Sequence, residues 1–250
     1  MMTLYKNELR KLRKTKYLLI FPLITIVIQC AVAFSIKYHP SLFPDKKNLL
    51  INGFAGGTLI AIYMIIASSD LINNEFKNKT CNVLFSHGFS RTEIYFNKIA
   101  ALVTYNLFLS IFTYLFSIII SKGLNLKIRL SHKLITNIVK FGFTSILSLW
   151  LILLIVILIS VIFRNSSIAT MIGTVLYFVP SILGGVLSNL NSKFSWVKYN
   201  MLNMLYYPSQ MIHHATHTLT HLSTSTLLLG NIIYLIIFLI LIFTFENRDM

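Results

Sequence analysis

The sequence predicts an all-α integral membrane protein: six transmembrane helices, an N-terminal interfacial helix and one further helix in a long polar segment. Three observations predict this. First, 56% of the 250 side chains are apolar and the mean hydropathy is +0.74, which is more apolar surface than one soluble core of this length can hide. Second, the apolar residues are gathered into runs of about 20, enough to cross a hydrocarbon layer of about 30 Å. Third, the 22 Lys and Arg, set against 7 Asp and Glu, flank those runs, where cations hold helix ends at an anionic lipid surface. A net charge of +15 placed in this way points to lipid, with no nucleic acid as partner.

The whole chain, 1–250, reads as a single transmembrane domain. Residues 1–16 carry Lys6, Arg10, Lys11, Arg13, Lys14 and Lys16 against one acid, Glu8, while Tyr5, Leu9 and Leu12 form an apolar stripe at helical spacing. Such a segment lies in the interface with its cations among headgroups, or serves as a basic tail that fixes topology. The spans follow at about 17–36, 53–72, 99–120, 141–163, 166–188 and 227–245. Asp70 stands near one end of the second, as an interfacial anchor. In the third, Asn106, Ser110, Thr113 and Ser117 recur at helical spacing, a seam that should face protein or a cavity. Pro180 and Gly184-Gly185 should kink or break the fifth near its far end. An even span count leaves both termini on one side, and the dense positive charge of the first 16 residues makes that side cytoplasmic. Over all loops and tails the bias is slight, 12 Lys and Arg inside against 10 outside, because residues 121–140 form a strongly basic outer loop on this topology.

The polar segment from Asn74 to Lys98 is the centre of the functional reading. Glu75 would occupy a first helical turn, where a carboxylate meets the positive helix end. Phe76, Thr80, Val83 and Leu84 then recur at spacings of three and four over about 75–87. Gly88 supplies a left-handed stop, and Ser90-Arg91-Thr92-Glu93 is a capping box that starts the next helix. The bland reading is a solvated loop helix. The sharper one is a docking element pushed from outside the membrane. In order and rough spacing, Glu75, Thr80, Ser90-Arg91 and Lys98 resemble the motif at the first coupling helix of ABC-2 type permeases, the membrane subunits of many bacterial ATP-driven exporters; Lys79 stands where that family commonly has Gly.

That resemblance implies a permease in the bacterial cytoplasmic membrane, working with a cytoplasmic ABC ATPase subunit and a second permease subunit, a homodimer. ATP and Mg would be bound by the ATPase, with no cofactor in this chain. Residues 1–16 would be the elbow helix. Glu75, Phe76, Lys79, Thr80, Leu84, Phe85, Ser90 and Arg91 would carry ATPase coupling, and the tight turn at Arg164, Asn165 and Ser166 would make a second cytoplasmic contact. Spans rich in Phe and Tyr and nearly free of charge suit an amphipathic peptide or lipid-like cargo. Within the family the chain is similar to small Gram-positive permeases that export amphipathic peptides, such as the staphylococcal phenol-soluble modulin exporter, or that expel bacteriocins.

Residues 189–226 form the largest outer segment, with Trp196, Tyr199, Tyr206 and Tyr207 suited to the interface. Within it His213, His217 and His221 would share one helical face at i, i+4 and i+8, a spacing that presents imidazoles to a metal ion. No acid or Cys lies among them, so they read first as polar groups on a wet helix. The chain has no GxxxxGK[ST] and no stretch able to hold a nucleotide-binding domain, so ATP hydrolysis belongs to a partner. Few buried ionisable residues disfavour ion-driven transport, and no catalytic constellation is apparent. Two other classes remain open: a stand-alone membrane sensor or immunity protein, and an intramembrane metalloenzyme using the three histidines.

Overall fold

The computed structural model describes residues 2–14, 16–77, 90–213 and 216–246. The chain folds as α1 (Met2–Lys14), α2 (Lys16–Tyr38), α3 (Lys46–Ile51), α4 (Gly56–Lys77), α5 (Arg91–Gly123), α6 (His132–Phe163) and α7 (Ser166–Lys193), then the short α8 (Met201–Met204), α9 (Tyr207–Ile212) and α10 (His217–Thr220), and finally α11 (Thr224–Glu246). Six stretches are long and apolar enough to cross a membrane: Ile20–Tyr38, Lys46–Asn73, Thr92–Gly123, His132–Phe163, Ser166–Lys193 and Thr224–Thr244. The expected fold class, all-α with six membrane helices, is therefore the observed one.

Local signals fix several helix ends. Ser90 caps α5 by accepting from the Glu93 amide at 3.3 Å, and the Glu93 carboxylate accepts from the Ser90 amide at 3.1 Å. Two orphan donors are thus satisfied reciprocally, as the sequence predicts. Ser131 caps α6 by accepting from the Leu134 amide. That cap corrects the expected outer loop at 121–140: α5 continues to Gly123 and α6 starts at His132, so Lys133 and Lys140 are helical and the link is short. Asn125 and Lys127, at φ of 48° and 56°, take the left-handed conformations that reverse the chain there. The fifth span is longer than expected and has no break, for α7 continues past Pro180 and Gly184-Gly185 to Lys193.

The bundle has a centre and a rim. In the most apolar stretches of α6 and of the span Lys46–Asn73, 61% and 56% of the residues are buried, against 17% in those of α7 and α11. Helix α6 packs against α4, α7, α9 and α11, and its run Leu151, Ile152, Leu153 and Leu154 is buried on every side. A helix apolar all round belongs at a bundle core. Close approach needs small residues: a Cβ on Gly173 of α7 would press on Val156 of α6 and come within 3.0 Å of Ile65 Cγ2 in α4.

The second span is built in two pieces. Helix α3 ends at Ile51, and Gly53, Phe54 and Ala55 follow at φ of 61°, 49° and 68°, three left-handed residues in a row before α4 begins. Phe54 and Ala55 store strain there, since only glycine adopts this region freely. Gln29 of α2 reaches across and donates its amide to Gly53 O at 2.7 Å and Thr113 O at 3.2 Å. Phe54 is fully buried and wedges the turn in place.

Gly173→Val should overpack the α4, α6 and α7 crossing and cost about 1–3 kcal/mol. Gly185→Ala, where an added Cβ meets nothing within 4 Å, should be neutral or stabilising by less than about 1 kcal/mol. Thermal unfolding of both variants in the same detergent checks the pair.

Candidate functional site

The polar segment between the second and third spans begins inside α4. Glu75 and Phe76 continue α4 as far as Lys77, so Glu75 stands in the last described turn of a long helix and not in the first turn of a separate one. No breaking residue interrupts the ladder at this point, and buried Asn73 turns its amide back onto Ser69 O at 3.0 Å. Lys79, Thr80, Leu84, Phe85 and Gly88 lie outside the described residues. Beyond them the chain resumes at Ser90, whose capping box makes Arg91 the first residue of α5.

Two turns into α5 the structure holds a charge cluster. Lys98 is 2% exposed; its ammonium donates to Leu71 O of α4 at 2.9 Å and lies 3.5 Å from Glu8 Oε2. Glu8 is 1% exposed and also takes Lys11 at 2.7 Å. Helix α1 turns Leu4, Glu8 and Leu12 inward at i, i+4 and i+8 and packs chiefly on α5. Tyr5 adds a hydrogen bond to Thr104 Oγ1 at 3.1 Å. The N-terminal helix is thereby fastened to the two helices that frame the polar segment. Sequence reading placed Lys98 in a motif but passed over Glu8, whose signal was its position as the lone acid midway between Leu4 and Leu12.

The turn between α6 and α7 is the second predicted contact. Arg164 closes α6 in the left-handed conformation, φ 49° and ψ 30°, and Asn165 caps α7 by accepting from the Ser167 amide at 2.9 Å. Ser166 is buried. Tight capping on both sides makes the turn a fixed corner.

Between α4, α5, α6, α7 and the stretch around Tyr206 lies a cavity of about 320 Å³. Asn106 and Ser110 of the predicted polar seam line it, and Thr113 and Ser117 are buried beside it. Ser110 donates to Asn106 Oδ1 at 3.1 Å. Tyr206 closes one end by donating to Pro180 O; burial raises its phenol above the ordinary range, so it stays a neutral donor.

A family model described as "ABC-2 family transporter protein" matches residues 4–181. The chain belongs to this family. As an ABC-2 transporter protein it is a multi-pass membrane permease component of an ABC exporter. No curated protein matches the chain closely enough to count as a relative. The match takes in α1, the Glu8 and Lys98 cluster, the Arg164 corner and every cavity wall up to Ser181.

The last part of the permease lies beyond that match and corrects two expectations. His213, His217 and His221 do not share a helical face. His213 ends α9, α10 spans only His217–Thr220, and His221 closes it in the left-handed conformation at φ 52°. The His217 ring lies 3.0 Å from the Gln210 amide and 3.2 Å from Leu222 O. Among the described residues no group of three metal-capable side chains forms. Tyr206 and Tyr207 are buried, whereas Trp196 is 76% exposed, so only the first part of the aromatic set suits an interface. The reason is an amide network in place of a wet helix. Asn203 donates to Lys198 O at 2.7 Å and Thr220 O at 2.9 Å, Thr220 donates to Gln210 Oε1, and Asn231 donates to Met204 O at 3.1 Å.

Glu8→Ala should leave Lys98 buried without its carboxylate and cost about 3–5 kcal/mol, whereas Glu8→Leu combined with Lys98→Met should come out near wild type. Thermal unfolding of the two variants in detergent measures the difference.

Proposed function

We propose that this permease is the membrane-spanning subunit of an ATP-driven exporter, coupled to a separate ABC ATPase through the segment between α4 and α5. The single observation that carries this reading is the fastening of α1, α4 and α5 around Lys98. A push on the intervening segment would reach a 33-residue helix, Arg91–Gly123, whose first turns are locked to two neighbours. Energetic coupling travels through such two-sided packed junctions. The fixed corner at Arg164, Asn165 and Ser166 supports a second contact on the same side.

On this reading both termini are cytoplasmic and the chain sits in the bacterial cytoplasmic membrane. Two copies enclose the path, because six spans supply only part of the wall that a large substrate needs. The exposed apolar faces of α2, α5 and α7 supply lipid-facing and subunit-facing surface. An amphipathic substrate, such as a peptide with one apolar face, suits a path walled by these surfaces. Phe76, Leu84 and Phe85 would make apolar contacts with the ATPase, Lys79 and Arg91 polar ones, and Glu75, Thr80 and Ser90 would shape the segment. ATP and Mg would be held by the ATPase.

Purification of the tagged permease from its native membrane tests the proposal. Wild type should bring down an ATPase activity, and a Phe76→Asp, Leu84→Asp variant inserted to the same level should lose at least nine-tenths of it. A correctly inserted wild type that brings down no ATPase overturns the reading.

A further inference from the structure

We infer that the cavity within each subunit is a binding site for a small, neutral, polyhydroxylic group: a sugar ring or glyceryl unit, free or at the head of an uncharged lipid. This goes beyond the exporter reading and needs no ATPase. The cavity's volume of about 320 Å³ is at the lower end of small-molecule sites, enough for one ring and too small for a folded peptide.

Its chemistry selects further. Asn52 and Asn106 bring amides and Thr58, Ser110, Ser145 and Ser148 hydroxyls to the walls, and no Asp, Glu, Lys, Arg or His is among the lining residues. A phosphate, carboxylate or ammonium group would lose its hydration here with no opposite charge in return. Two wall groups are already desolvated and unmatched: Asn106 Nδ2 and Ser148 Oγ have no hydrogen-bond partner within the protein, although Asn106 is 0% and Ser148 5% exposed. A buried amide left in that state is destabilising, and a ligand that accepts from it recovers the loss. Asn106 asks for an acceptor, and Ser148 takes either role. Dispersed hydroxyls, each donor and acceptor, answer both at once. The rings of Tyr114, Tyr177 and Phe141 line the same space, flat apolar surfaces of the kind that cover the C–H faces of a sugar while polar groups meet its edges. The cavity lies among membrane helices near the middle of α5 and α6, which favours delivery from the bilayer.

The test uses the full chain in nanodiscs of phosphatidylcholine, without ATPase. The probe is a radiolabelled glucosyl diacylglycerol, with free glucose, phosphatidic acid and an uncharged dipeptide amide as competitors. Wild type should bind the probe saturably, and Asn106→Leu should weaken it at least tenfold. Ser148→Ala, a substitution too small to threaten folding, should weaken it severalfold. Free glucose competing at concentrations like those of the glycolipid would support the site with a soluble source, and failure of glucose to compete would support the lipid source. Equal competition by phosphatidic acid or by the dipeptide amide, unchanged binding in both variants, or no saturable binding would overturn the inference. Because no ATPase is present, that failure leaves the exporter reading untouched.

Discussion

Within hydrocarbon every backbone polar group must find its partner inside the protein, and the architecture depends on how that demand is met. Five of the membrane-crossing stretches meet it with continuous helices. The second does not, and its break at 52–55 is met by turn hydrogen bonds such as Gly56 N–H to Gly53 O at 2.9 Å, with Gln29 as a second donor to that carbonyl. The same side chain reaches Thr113 O, so α2, the break and α5 are tied at one point. Gly56 belongs to this arrangement, since an added Cβ there would press on Thr113 and Gln29. Positive φ at Phe54 and Ala55 is the strain accepted to put a turn where a helix would otherwise run.

The same constraint explains why charge is so sparingly used. A lone ammonium at 2% exposure would be costly, yet Lys98 is met by a carbonyl at the flank of α4 and by a carboxylate from α1. Buried pairs of this kind add little net stability but strongly penalise any arrangement that separates them. They therefore act as register pins. Here the pin joins three helices beside the end of α4 and the start of α5. At the opposite end the work is done by neutral amides: Asn191, Asn203, Gln210 and Asn231 knit residues 197–222 into a folded cap over α6 and α7. Short helices held by these uncharged amides close the cavity, and no charged side chain lines it.

How much of this was legible in the sequence depended on whether the deciding contact was local. The capping box at Ser90 and Glu93 joins residues three apart, and it was readable as written. The seam of Asn106, Ser110, Thr113 and Ser117 was readable as a buried face because one helix carries all four. The basic 121–140 loop was misjudged because charge was read as loop, although Ser131 is a helix cap that lets Lys133 and Lys140 ride on α6. The histidine face failed for the converse reason: regular spacing was read as one helix, while amides from Asn203 and Gln210, distant in sequence, capture the carbonyls of Thr220 and Leu222 and shape the chain as turns.

By itself the sequence determined the solvent this protein lives in, the number of its membrane helices and the capping box at Ser90 and Glu93, because apolar run length, charge placement and cap chemistry are properties of neighbouring residues. The tertiary structure alone decided that α6 is the central helix, that Glu8 and Lys98 meet, that Gln29 donates to the break before α4, and that two unmatched polar groups face one uncharged cavity. Each of these joins residues dozens of positions apart, and only packing determines which of many possible partners a buried polar group finds.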